Sequence, residues 1–127
     1  MSLLVRAFPL KASEADLQKF IAELQGPRRA DVDSFYQEHG VTHESWYVQE
    51  TEHGPWVIGL TQVEDVQESA PRFAQHQGDF PAWFRAQIQK LTGVDTSATP
   101  LGPPTTLVYE YSDCETTRSC FAPPQLG

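Results

Sequence analysis

Val41-Thr42-His43-Glu44-Ser45-Trp46-Tyr47-Val48-Gln49-Glu50-Thr51, then Glu52-His53-Gly54-Pro55, then Trp56-Val57-Ile58-Gly59-Leu60-Thr61-Gln62-Val63, is the stretch on which the fold turns. Its outer runs are rich in β-branched and aromatic residues, and the tetrad between them holds Gly and Pro. That is the pattern of a β-hairpin with a loop longer than the two-residue minimum. Neither run alternates cleanly between apolar and polar. In the first, Val41 and Tyr47 share a parity with His43 and Ser45, while Trp46 and Val48 share the other with Thr42 and Glu44. In the second, Trp56, Ile58 and Leu60 oppose Val57, Gly59 and Val63. A sheet with one wet face shows polar residues on one parity, so both faces of this hairpin are expected to be covered.

Outward from the hairpin, Leu3–Leu10 reads as a strand with apolar residues on both parities, limited by Pro9, which cannot donate to a ladder. Ser13-Glu14-Ala15-Asp16 is a serine-x-x-acid helix start, followed by Leu17, Phe20, Ile21 and Leu24 at helical spacing. Gly26-Pro27 interrupts the pattern, giving either one long kinked helix or two helices in succession. Helix resumes from Arg28 to His39 with Val32, Phe35 and Tyr36 inward, and Gly40 stands where a left-handed terminator is expected.

Beyond the hairpin, Glu64-Asp65 opens a short helix carrying Val66, Ala70 and Phe73. Asp79 followed by Pro81 starts another, whose apolar face is Phe80, Trp83, Phe84, Ile88 and Leu91 and whose stop is Gly93. Residues 94–104 read as loop. Thr105–Tyr111 reads as a last strand, with Leu107, Tyr109 and Tyr111 on one parity. Residues 112–127 have no periodicity and form an irregular or disordered tail after a single domain spanning 1–111. The order strand, helix, strand, strand, helix, strand predicts an α+β, ferredoxin-like βαββαβ fold: a four-stranded antiparallel sheet with helices on one face. A homodimer pairing two sheets through their helix-free faces would cover the second apolar side.

The 127 residues carry a net charge of -8, which argues against nucleic acid and anionic membranes as partners. No run of about 18 apolar residues predicts a membrane span. The opening Met1-Ser2-Leu3-Leu4-Val5-Arg6 lacks a basic leader and a long apolar core, so a cytoplasmic location is expected. The cysteines, Cys114 and Cys120, both lie in the tail; free thiols are expected there, with a tail-closing disulfide as the alternative. Neither they nor the histidines have metal-ligand spacing, so no metal site is expected.

Gly40-Val41 with Glu44-Ser45-Trp46, the strand opening Trp56-Val57-Ile58, Asp65, and Phe80-x-x-Trp83-Phe84 leading to Leu91-Thr92-Gly93-Val94-Asp95 together resemble the dimeric α/β-barrel superfamily. That superfamily includes the antibiotic-biosynthesis monooxygenase-like domains, and within it the pattern is similar to the DUF6176-like group of small proteins. The resemblance covers roughly Leu3 to Asp95 and implies a dimeric α/β barrel. The superfamily includes cofactor-free oxygenases, haem-degrading enzymes, lactone isomerases and proteins without a known reaction. Its haem-degrading branch has an asparagine on the first strand, where this chain has Arg6, and no cofactor is expected.

His43, in the hairpin beside aromatics, and His76 are the candidate catalytic acid–base groups, because imidazole titrates near neutrality. The alternatives are a histidine hydrogen-bonded in an interface and one on a helix end. His43 and Glu44 are adjacent strand residues, point to opposite faces and cannot form a dyad. Arg6 is a cation in a central strand, suited to a ligand carboxylate or to a salt bridge with Glu44 or Glu110. Trp46, Trp56 and Trp83 are candidate walls of an aromatic-binding cavity, or core. The expected function is binding or transformation of a small aromatic or conjugated molecule without a metal. The alternative is a non-catalytic dimeric interaction module.

Overall fold

The structure, a computed structural model, describes residues 2–65, 76–111 and 113. It is α+β, and in chain order its elements are β1 (Ser2–Pro9), α1 (Glu14–Gln25), α2 (Arg29–Glu38), β2 (Val41–Thr51), β3 (Gly54–Val63) and α3 (Asp79–Thr92). The short helix expected after Asp65, with Val66, Ala70 and Phe73, lies outside the described residues, as does the tail with Cys114 and Cys120.

The hairpin forms, but its loop is the two-residue minimum rather than longer: Thr51 pairs with Gly54 and Glu50 with Pro55, so Gly54 and Pro55 open the second strand and Glu52-His53 makes the turn. β3 occupies the centre of an antiparallel sheet ordered β1-β3-β2. Centrality follows from composition: Trp56-Val57-Ile58-Gly59-Leu60 carries no charge, so neither edge nor face asks for water. The register aligns Arg6, Gly59 and Trp46 across the sheet, and Leu4, Thr61 and Glu44 two residues further along on the same face. A bulge between Val41 and His43 sets the phase of β2.

Ser13 caps α1, its Oγ accepting from the Asp16 N–H at 3.1 Å, one of the donors a helix start leaves unpaired. Gly26-Pro27 separates α1 from α2 rather than kinking one helix. Gly40, at φ +70°, makes the left-handed step from α2 into the hairpin, a backbone region costly for residues with a Cβ. The helices cover one side of the sheet. Their core is built on Leu17, Phe20, Phe35, Phe84, Ile88 and Leu91, all buried, with Phe84 at 5.5 Å from Phe20 and 5.3 Å from Phe35 between ring centres. Lys11 donates its backbone N–H to Leu91 O at 2.8 Å, tying the end of α3 to the exit of β1.

Among the described residues no fourth strand joins the sheet, and 105–111 carry no strand pairing. Gly102 lies against Ala7, and Thr105 Oγ1 donates to Val5 O at 2.7 Å, so the chain starts down the free edge of β1 in the antiparallel sense. Between these two contacts stand Pro103 and Pro104, which have no N–H to give to the ladder. Pairing fails where it would have to start, and Leu107, Val108, Tyr109 and Tyr111 are left 75–90% exposed. The helix-free side of the sheet is also without a cover from the helical core. Leu3 and Tyr47 are more than half exposed there, next to half-buried Val5, Ala7, Trp56, Ile58 and Leu60. No helix among the described residues is long and apolar enough to cross a membrane.

Candidate functional site

The helix-facing side of the sheet does not pack solidly against the helices. Gly59, the middle residue of the middle strand, contributes no side chain between Arg6 and Trp46, and a cavity of about 380 Å³ opens above it. Its walls are mostly apolar: Leu4 and Phe8 from β1, Val57 and Val63 from β3, Phe20 and Phe35 from α1 and α2. Residues 96–101 close it on the β1 side. That loop is held by Asp95, whose carboxylate accepts from the Ser97 hydroxyl at 2.6 Å and the Ser97 N–H at 3.0 Å. The two bonds hold the Asp95 carboxyl below its ordinary pKa.

Polar groups enter this space at few points. Glu44 projects from β2 beside Trp46, as residues two apart on a strand must. The Trp46 indole Nε1–H donates to Glu44 Oε2 at 2.5 Å, and the hydroxyls of Tyr36 and Thr61 also hydrogen-bond to the carboxyl. Burial among apolar walls pushes Glu44 up from 4.5 to about 7; the bonds from Trp46, Tyr36 and Thr61 oppose that rise without cancelling it. Desolvation also raises the Tyr36 hydroxyl, and the neighbouring Glu44 carboxylate raises it further, so the phenol stays protonated and donating. A carboxyl poised near neutrality inside an apolar cavity, oriented by three donors, can take up and release a proton.

A second polar group is His39, buried at the end of α2 and lining the same cavity. His39 Nε2 is 3.0 Å from His76 Nδ1, and His76 Nε2 is 3.2 Å from Glu38 Oε2. The carboxylate fixes the tautomer: His76 donates from Nε2, so its Nδ1, when neutral, accepts from His39 Nε2–H. Phe35 stacks flat on His76, rings 5.5 Å apart and 7° from parallel. The row leads from the cavity wall to Glu38, whose side chain is 62% exposed.

Of the residues expected from sequence, Arg6 and Trp46 line the cavity, and His76 stands one hydrogen bond behind its wall. His43 and Trp56 lie on the opposite parity of the sheet, on its helix-free side, and His43 is exposed. Trp83 lines a separate groove with Lys19 and Glu23; it packs 5.6 Å from Phe20, with the Arg28 guanidinium 3.8 Å above its ring centre. No salt bridge joins Arg6 to Glu44 or Glu110; its Nη1 donates to Val5 O at 3.1 Å. Glu44, Tyr36 and His39 were not singled out as site residues. The signal available for Glu44 was its i, i+2 relation to Trp46, which puts an acid and an indole donor on one face.

No family model matches the chain, and neither a curated protein nor a solved structure matches it significantly.

Proposed function

We propose that the protein binds a small, largely apolar, ring-bearing molecule in the cavity above Gly59 and moves a proton on it, without a metal, using Glu44. The observation that carries this reading is the Glu44 carboxyl at about pKa 7, buried and held by Trp46, Tyr36 and Thr61. At neutral pH both of its protonation states are populated, so the ionised form removes a proton from an acidified C–H or O–H and the acid form returns it. His39, His76 and Glu38 give a proton on the cavity wall a route to solvent. The proposal extends to the assembly: two copies, each with its three-stranded sheet, cover their helix-free faces against one another as in a dimeric α/β barrel.

A thermal-shift screen of aromatic and polyketide-like compounds identifies binders, and exchange of ligand C–H for deuterium in D2O reads the chemistry. Glu44→Gln is expected to keep binding and to lose exchange at least about a hundredfold. Equal exchange rates in the two proteins would remove Glu44 from the chemistry. A second reading, a non-catalytic dimeric module, draws on the exposed apolar sheet face; it predicts a dimer in sedimentation with no binder in the screen.

A further inference from the structure

Arg6 presents a cation to a mostly apolar cavity with no carboxylate paired to it among the described residues. A half-buried guanidinium facing apolar walls is suited to meet an anion. The only polar group shown receiving its hydrogen bond is the backbone carbonyl of Val5, which uses one of five donors. Close by, Gly102 seats the cavity-closing loop against Arg6 Cβ and the Ala7 carbonyl. In that loop Thr96 is buried, lines the cavity, and keeps its Oγ1 without a hydrogen-bond partner among the described residues. The cavity thus holds, among the described residues, an unmatched cation on β1 and an unmatched hydroxyl in its closing loop, while Glu44 on β2 already accepts from three donors.

The sheet register sets the spacing. Arg6 and Trp46 flank Gly59 on neighbouring strands, so their backbones stand about 10 Å apart, and Glu44 is about 7 Å further along β2 from Trp46. A flat ring system fits that span where Gly59 leaves the floor low. A Cβ built at Gly59 meets the Trp46 ring at 3.7 Å, so a flat group over this glycine lies against the indole.

We infer that the ligand is a planar carboxylate, its anionic end bound by Arg6 and its ring lying across Gly59 against Trp46, with the far edge toward Glu44. This rests on the cavity being the ligand site and adds the charge and orientation of what occupies it. The chain's net charge of -8 gives anions no general attraction to the surface, so charge selectivity falls to Arg6.

Calorimetric titration with 2-naphthoate and its uncharged counterpart 2-naphthamide tests the assignment on the full chain. Wild-type protein is expected to bind naphthoate at least about tenfold more tightly than naphthamide. Arg6→Met should remove that preference and leave naphthamide unchanged. Arg6→Lys, which keeps the charge and guards against misfolding of the first variant, should retain part of it. Gly59→Val should weaken both probes. Equal affinity of the wild type for the two probes, or naphthoate binding untouched by Arg6→Met, overturns the anion assignment while the cavity reading stands. Binding of both probes by Gly59→Val as by the wild type overturns the ring placement. Failure of wild-type protein to bind either probe at millimolar concentration overturns the cavity reading itself.

Discussion

The two faces of the sheet are made by the same three strands, residue by residue in alternation, yet they end in opposite conditions. Toward the helices, Thr61, Glu44 and Trp46 join in hydrogen bonds inside an apolar cavity. Away from them, Leu3, Trp56, Ile58 and Tyr47 meet no part of the helical core. A few polar groups are buried within the mostly apolar helix side, while the other side keeps apolar residues with no helix over them. The difference teaches that one set of strands presents a cavity on its helix-facing side and, on the other, an apolar surface the helical core does not reach.

The largest effect that would sharpen this contrast lies in the core beneath the helices. Phe20→Ala, which removes ring contacts to Trp46, Trp83 and Phe84, is expected to cost about 3–5 kcal/mol in chemical denaturation. A loss below about 1 kcal/mol would mean that the cavity side is not the structural core.

Next comes Glu44. Its carboxyl is raised from 4.5 to about 7 in the fold, so the native state binds this proton more tightly than the unfolded chain. The stabilisation is complete below pH 4.5 and is lost as pH rises to about 7, roughly 3 kcal/mol in all. Glu44→Gln should abolish this component between pH 5 and pH 8. A wild-type and variant pair with parallel pH profiles would contradict the burial.

Gly102→Ala follows, at about 1–3 kcal/mol, since φ is +81° and the new Cβ would stand 3.0 Å from Ala7 O. Wild-type melting temperature in this variant would show that the loop closing the cavity is loosely held. Smallest for the folded monomer is Tyr47→Asp on the other face, within about 0.5 kcal/mol at high dilution. Its effect should show instead in sedimentation at micromolar concentration, where the wild type runs as a dimer and the variant as a monomer. A wild type that stays monomeric would leave the helix-free face without its proposed cover.

Much of this architecture was legible because its signals are local. Ser13, Gly26-Pro27 and Gly40 mark helix ends through backbone chemistry that needs no partner. Thr105–Tyr111 has the residues of a strand but carries no ladder pairing in the structure, and Pro103-Pro104, without N–H donors, sits just ahead of it. Strand propensity describes what a segment tolerates; pairing also needs donors at the point of entry.

The site was harder to read. Parity correctly separated His43 from Glu44 but not which of them faced the helices. Trp56, Ile58 and Leu60 look more like a core stripe than Val57, Gly59 and Thr61, yet it is the second set that faces the cavity. Arg6 and Trp46 were reachable from composition alone. The row from His39 through His76 to Glu38 joins residues 37 apart in the chain, a relation only the tertiary fold creates.

The proline pair has one more consequence. It leaves β1 with an open rim and, a few residues on, an unpaired Leu-Val-Tyr run of the kind that stacks readily into fibrils. At high concentration such a chain can be sealed once, by a twin, or extended without end by copy after copy. Glu110 within the run and the chain's overall negative charge act as gatekeepers against the second course, so acid or concentrated salt should be where this protein first comes out of solution.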